Sequence, residues 1–197
     1  MNKNTIHYKL YQLAEQQAGY FTAAQAAERG FSRKLLWYHE KMSHFIRVAR
    51  GIYRIAQFPS SRFEDLFVAW LRCGPKAVIS HDSALAVYDL SDVIPGEIHV
   101  TVLRTASRRR KGIRQHTAPL SPSDVKRREG LPVTSVPRTI ADVSRAGLPE
   151  ELVGEAIQQS LDRGLTDRAS LQAHANRRGG RTAYLIHKYL TGLGASS

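Results

Sequence analysis

The strongest constraint on the fold is a pair of short segments joined by a glycine, residues 22–41. Thr22 precedes an alanine-rich stretch, residues 23–29, whose small side chains let another helix pack closely, and Gly30 fits the position just after a helix C-terminus. Ser32 fits an N-cap before residues 33–41. A short helix, a glycine-containing turn and a second helix have the spacing of a helix-turn-helix.

The segments on either side extend this unit to a winged helix-turn-helix over residues 1–58. Apolar residues recur at helical spacing from Ile6, and Thr5 is placed to cap the helix that this stripe predicts. Residues 45–55 alternate apolar and polar side chains around Arg50-Gly51, which predicts two short strands and a tight turn. Such a hairpin after a helix-turn-helix is typical of a wing.

Basic and aromatic residues of this unit are the candidate DNA-binding residues. In the second helix, Leu35, Leu36 and His39 can face inward, which leaves the remaining side chains free to enter a major groove. Ser32 can both cap that helix and bond a phosphate. We expect contacts to DNA from Thr22, Ser32, Arg33, Lys34, Trp37, Tyr38 and Lys41, and contacts to phosphates from Arg47, Arg50 and Arg54 on the wing.

The charge balance favours a polyanionic partner. Lys and Arg number 29 against 17 Asp and Glu, a formal net charge of +12, and lysines and arginines that neutralise phosphates release counterions. Nucleic acid is therefore favoured over a membrane surface, while a basic protein that only resists aggregation is the simpler alternative. A lone cysteine, Cys73, and the lack of a secretory-signal pattern at the N-terminus predict a cytoplasmic, nucleoid-associated protein.

Residues 63–197 predict a second domain, after a polar break at residues 57–62. The overall expectation is an α+β fold, mostly helical, in which a small sheet is followed by helices. Strands are predicted near residues 77–79, 98–102 and 113–117. Helices are predicted at residues 63–71, 80–88, 136–143, 152–161, 168–175 and 182–190.

The densest basic run belongs to this second domain. We expect it on an exposed hairpin connection between the strands near residues 98–102 and 113–117. It fits either a second phosphate contact or a solvated loop. The residues of the run are Arg108, Arg109, Arg110 and Lys111.

Several segments resemble the AbiEi-type abortive-infection antitoxins. The run from Phe21 to Ala26, then Gly30-Phe31-Ser32-Arg33 and the segment Ile46 to Tyr53 are similar to the N-terminal domain of that family. Residues 78–84, 98–102 and 130–142 are similar to segments that follow the winged helix in its members. The resemblance implies a repressor that binds double-stranded DNA at the operator of its own operon. It also implies a cognate nucleotidyltransferase-like toxin, as in type IV toxin-antitoxin systems.

A stand-alone regulator without a toxin, a nuclease and an RNA-binding protein are the alternatives. A metal-dependent nuclease needs clustered carboxylates, and the acidic residues are scattered along the sequence. His81 lies between Ser80 and Asp82, but a helix start capped by one of these neighbours explains the triplet better than a catalytic triad. RNA modules usually stack bases on a sheet, whereas Trp37 and Tyr38 lie on a predicted helix. We therefore expect no catalytic residues, no metal site and no cofactor.

Overall fold

A computed structural model describes residues 5–90, 96–103 and 110–192. The described chain mixes helices with strands, which confirms the coarse α+β expectation. It divides into two compact units. The N-terminal unit comprises Met1–Pro75 with Glu129–Leu131, and the C-terminal unit comprises Lys76–Arg128 with Pro132–Ser197. In the part of the chain that the structure describes, every helix is too short or too polar to cross a membrane.

In its described residues, the N-terminal unit combines four helices with a three-stranded sheet. Its antiparallel strands run in the order β1-β3-β2. The elements are α1 (Ile6–Glu15), β1 (Tyr20–Thr22), α2 (Ala23–Ala27), α3 (Arg33–Lys41), β2 (Phe45–Ala49), β3 (Ile52–Ile55) and α4 (Glu64–Cys73). The sequence analysis predicted these elements except β1, which is three residues long.

Hydroxyl side chains cap the first three helices, as predicted for Thr5 and Ser32. Thr5 Oγ1 accepts a hydrogen bond from the backbone N–H of Tyr8 at the start of α1. Thr22 and Ser32 accept equivalent bonds at α2 and α3. Each cap satisfies one backbone donor that the first helical turn leaves without a partner. The helices of this unit share an apolar core built around Leu10, Phe21, Phe31, Leu36 and Phe45.

Helix α4 packs within the N-terminal unit, although the sequence analysis placed it after the break at residues 57–62. The ring of Phe67 stacks on Tyr20 of β1, with 4.6 Å between the ring centres. The Tyr20 hydroxyl donates to Glu64 Oε2 at 2.8 Å. These contacts explain why α4 belongs to the N-terminal unit. The boundary at residues 57–62 between independently folding domains stays a prediction.

The C-terminal unit combines a five-stranded sheet with five helices in the described residues. The strand order is β6-β5-β4-β8-β7. The elements are β4 (Val78–Ile79), α5 (His81–Tyr88), β5 (Ile98–Val102), β6 (Ile113–Thr117), β7 (Val125–Arg128), β8 (Leu131–Thr134), α6 (Val136–Ala146), α7 (Glu150–Asp162), α8 (Arg168–Arg178) and α9 (Gly180–Gly192). Asp167 caps α8 by accepting from the Ser170 N–H at 2.7 Å.

The prediction of a hairpin between β5 and β6 is wrong. The two strands pair in parallel, with Ile98 opposite Ile113 and Val102 opposite Thr117. A parallel pair needs a connection that returns the chain to the same end of the sheet, and a tight turn cannot do this. Apolar alternation predicted β5 because it marks a buried strand face, but alternation carries no information about strand direction.

Helix α6 buries an ion network at the centre of the C-terminal unit. Arg138 lies between two carboxylates, with its Nε 2.7 Å from Asp142 Oδ2 and its Nη1 3.3 Å from Asp124 Oδ2. Arg178 of α8 approaches the other oxygen of Asp142 at 2.9 Å, and His174 lies 3.1 Å from Asp124. The network therefore joins α6 and α8 to the short 3-10 turn that contains Asp124.

The pKa of Asp124 connects this network to stability. Burial alone would raise that pKa, but hydrogen bonds from Ser121 and His174 and the charge of Arg138 lower it to about 2, from an ordinary 3.8. Because the folded pKa is depressed, the stabilisation is fully present above pH 3.8 and is lost as the pH falls towards 2. The shift corresponds to about 2 kcal/mol.

We expect Asp124→Asn to lower the free energy of unfolding of the C-terminal unit by about 2 kcal/mol at pH 7. The difference from wild type should shrink as the pH falls from 4 towards 2, because the wild-type carboxylate becomes protonated there. Urea denaturation at a series of pH values measures both effects. Asp162→Asn, on the exposed side of α7, is the control and should change stability by less than about 0.5 kcal/mol. A difference that stays constant down to pH 2 would contradict the assignment.

Candidate nucleic-acid interface

Helix α3 presents a basic and aromatic surface on one side and packs on the other. Trp37 is 58% exposed and Tyr38 is 49% exposed, although both are large and apolar in part. The Lys41 Nζ lies 5.9 Å from the centre of the Trp37 ring, within cation–π range. We define the α3 surface by its exposed members: Arg33, Lys34, Trp37, Tyr38 and Lys41.

The buried side of α3 fixes how this surface is presented. Leu36 and His39 are buried, and the His39 ring packs against Phe45 with 4.9 Å between ring centres. Burial, followed by the charges of His7 and His44, lowers the pKa of His39, so this imidazole is neutral at pH 7. The Ser32 Oγ accepts from the Leu35 N–H at 3.1 Å and begins the helix. The expected inward orientation of Leu36 and His39 is confirmed.

The β2–β3 hairpin carries two of the three predicted wing arginines at its surface. Arg47 and Arg50 are exposed, and Gly51 turns the chain with a left-handed φ of +72°. The Ala23 N–H donates to the Gly51 carbonyl at 2.9 Å. This bond ties the hairpin turn to the start of α2, so the hairpin and the helices are held in a fixed relation.

The expectation of a phosphate contact from Arg54 requires correction. Arg54 is only 9% exposed, and its Nη1 donates to the Phe58 carbonyl. Its Nε lies 3.8 Å from Glu64 Oε2. A long side chain on β3 can turn back over the sheet, and here it joins β3 to α4. Arg54 therefore contributes to the packing of the unit.

Thr22 is already engaged at the start of α2. Its hydroxyl accepts from the Gln25 N–H at 3.0 Å, while Gln25 Oε1 accepts from the Thr22 N–H at 2.9 Å. These reciprocal bonds form a capping box. Thr22 is half-buried, and a DNA contact from it stays a prediction.

The predicted second basic site is only partly described. Arg108 and Arg109 lie outside the described residues. Arg110 is half-buried and its backbone forms a bridge with Ile113, whereas Lys111 is exposed beside Gly112. All four belong to the C-terminal unit. Their contact with a phosphate stays a prediction.

The sequence analysis missed a group of three histidines in the C-terminal unit. His81, His99 and His116 each offer one ligand atom, and these atoms all lie within 4.8 Å of one another. The three residues are far apart in the sequence, so no spacing motif revealed them. Ser80 does occupy the N-cap position of α5, but its side chain makes no capping bond and instead lies 3.0 Å from His81 Nδ1.

Comparisons with known proteins agree with the resemblance found in the sequence. Residues 8–56 match the model of a family described as transcriptional regulator, AbiEi antitoxin. This match runs from within α1 to the end of β3 and confirms the resemblance over those residues. The crystal structure of the RV2827C protein from Mycobacterium tuberculosis is similar in fold, with a TM-score of 0.51 at 14% identity, covering 94% of this chain and 77% of that one. No curated protein matches the chain.

We expect Ser32→Ala to destabilise the N-terminal unit by about 1 kcal/mol, because the first turn of α3 loses the acceptor for its Leu35 N–H. Chemical denaturation followed by tryptophan fluorescence measures the change, because the buried Trp70 of α4 lies in the same unit. Ser32→Asp is the matched variant, since aspartate also caps helices, and it should keep most of the stability. Equal losses in the two variants would show that the hydroxyl does not act as a cap.

Proposed function

We propose that this chain is a sequence-specific DNA-binding transcriptional regulator in which α2, α3 and the β2–β3 hairpin act as a winged helix-turn-helix. The observation that carries this proposal is the α3 surface, where five basic and aromatic side chains are exposed on a helix whose other side is packed. That helix lies within the residues that match a family of transcriptional regulators. The net charge of +12 supports a polyanionic partner.

Helix α3 and the β2–β3 hairpin make different contacts in the proposed complex with DNA. Helix α3 enters the major groove, which is wide enough for an α-helix and displays a distinct pattern of donors and acceptors for every base pair. Arg33 and Lys34, in the first turn of α3, read base edges, while Trp37, Tyr38 and Lys41 contact the groove walls. Arg47 and Arg50 on the hairpin bind phosphates, which fix the register of the protein on the duplex.

The family match supports a more specific biological role. A regulator of the AbiEi type is proposed to repress its own operon and to act as the antitoxin of a nucleotidyltransferase-like toxin. A stand-alone regulator would share the DNA-binding surface and differ only in lacking the toxin. Co-expression with the product of a neighbouring toxin gene separates these two roles, because only an antitoxin restores growth.

The first test is a fluorescence titration of the full chain against its own upstream promoter fragment and a scrambled fragment. A specific regulator should prefer the promoter, and the preference should persist when the salt concentration is raised. Binding that is equal for both fragments and disappears at higher salt would leave only a basic protein with non-specific affinity.

We expect Arg33→Ala to reduce affinity for the promoter by about 1 to 3 kcal/mol and to relax discrimination at one base position. Competition with promoter fragments that carry single substitutions measures this loss. Arg168→Ala is the control, because that arginine lies on α8 and its Nη1 donates to the Leu190 carbonyl. An equal loss for every DNA sequence would refute the reading role of Arg33.

We expect Arg50→Ala to weaken binding to promoter and scrambled DNA alike, because a phosphate contact carries no sequence information. The slope of log affinity against log salt concentration should become shallower by about one unit, because one phosphate contact is lost. Titrations at several salt concentrations measure that slope. Arg54→Gln is the matched hairpin variant, and it should leave the slope unchanged because Arg54 is buried. Its fold is checked separately by circular dichroism.

A further inference from the structure

The three histidines of the C-terminal unit form the strongest unexplained group of side chains in the described residues. We call His81, His99 and His116 the histidine cluster. Its rings are in contact: the His81 and His116 rings stack with 3.6 Å between their centres. The His99 ring centre is 5.1 Å from that of His116 and 5.8 Å from that of His81.

The sheet and α5 bring the cluster together. In the parallel pairing of β5 and β6, His99 lies opposite Arg114 and Thr101 lies opposite His116. Side chains two residues apart along a strand point to the same face, so His99 and His116 share one face of the sheet. His81 begins α5 with a left-handed φ of +51°. Such a conformation is unfavourable in a residue other than glycine and tends to occur at functional sites.

Burial disfavours the protonated form of all three imidazoles. Burial lowers the pKa of His81 to about 3 and that of His116 to about 4, with smaller contributions from neighbouring positive charges. Burial also lowers the pKa of His99, against the opposing charge of Asp82. A neutral imidazole carries one nitrogen lone pair that can bind a metal ion.

Two buried ring nitrogens of the cluster make no hydrogen bond. They are His99 Nδ1 and His116 Nε2. Buried polar atoms without a partner are uncommon in folded proteins, because each has lost its bonds to water and gained none in return. An ion bound to the cluster would satisfy His116 Nε2 directly.

Neighbouring side chains favour Nε2 as the metal-binding atom of the other two histidines. Thr101 Oγ1 donates to Ser80 Oγ at 2.9 Å, and His81 Nδ1 lies 3.0 Å from that same oxygen. An Nδ1–H that donates to Ser80 leaves the lone pair of His81 on Nε2. Asp82 Oδ2 is 3.6 Å from His99 Nδ1, which is close to the carboxylate–histidine arrangement found behind metal-binding histidines.

A cleft of about 470 Å³ adjoins the cluster. His81 and His116 line it together with Arg114, Arg145 and Arg178. These guanidinium groups favour an anion in the cleft, whether hydroxide or a ligand that carries a carboxylate or phosphate group. Arg178 is itself paired with Asp142, which also lines the cleft.

We propose that His81, His99 and His116 bind one divalent transition-metal ion through their Nε2 atoms and leave a fourth coordination position open to the cleft. Three neutral imidazoles with an open fourth position suit Zn²⁺ best. Tetrahedral coordination requires the ligand nitrogens to lie about 3.3 Å apart at zinc–nitrogen distances of about 2.0 Å. The stacked rings of His81 and His116 must therefore turn on binding until their lone pairs converge on the ion. Asp82 acts as the positioning residue that orients His99.

Metal titration of the full chain after removal of metal by a chelator tests the proposal. Calorimetry with Zn²⁺ should show one ion per chain, and Co²⁺ should give the intense visible absorption of a tetrahedral site. The melting temperature should rise with Zn²⁺ concentration, because an ion that binds only the folded state stabilises it. Absence of stoichiometric binding, or an absorption spectrum typical of octahedral Co²⁺, would overturn the proposal.

Variants locate the bound ion. His116→Gln should weaken Zn²⁺ binding by more than about 100-fold, and Asp82→Asn should weaken it by about 10- to 100-fold. His187→Gln, on α9 outside the cluster, is the control and should bind as wild type does. His81→Asn is the second ligand variant, because asparagine tolerates the left-handed backbone, and circular dichroism checks the fold of each protein. Wild-type affinity in the folded His116→Gln and His81→Asn proteins would place the ion elsewhere and refute the site.

Discussion

The buried guanidinium of Arg138 organises the C-terminal unit. It is 4% exposed and lies between the carboxylates of Asp124 and Asp142, so the 3-10 turn and α6 depend on the same cation. A buried charge is tolerated only with good partners, and removal of one partner leaves an uncompensated ion. The charge of Arg138 also contributes, after burial and two neighbouring histidines, to the lowered pKa of His81. The network that anchors α6 therefore also helps to keep His81 neutral.

The N-terminal unit depends on a different constraint, the fixed geometry of short helices and a hairpin. A helix of nine residues such as α3 is marginal by itself, so its cap at Ser32 and its packing through Leu36 and His39 determine whether it forms. The bond from Ala23 to Gly51 holds the hairpin turn against α2. Side chains on such a rigid scaffold lose little conformational entropy when they bind a partner, which favours tight binding.

Local patterns in the sequence predicted much of the N-terminal unit. The caps at Thr5 and Ser32 could be predicted because a hydroxyl just before a helical segment satisfies a local backbone donor. The burial of Arg54 was not predictable, because no local pattern shows that its side chain turns towards the Phe58 carbonyl and towards Glu64, ten residues along the chain. The parallel pairing of β5 with β6 and the histidine cluster were missed for the same reason. Contacts between distant residues leave no periodic signal.

The strand order of the C-terminal sheet has a consequence for association between molecules. Strands β6 and β7 are the outer strands, and the outer strand of a sheet can pair with a strand of another molecule. Here β6 carries Arg114, and β7 carries Lys126 and Arg127, all exposed. Two such edges repel each other, which opposes aggregation through the sheet. This protection weakens as salt rises, because at 0.1 M ionic strength charges more than about 10 Å apart are already largely screened.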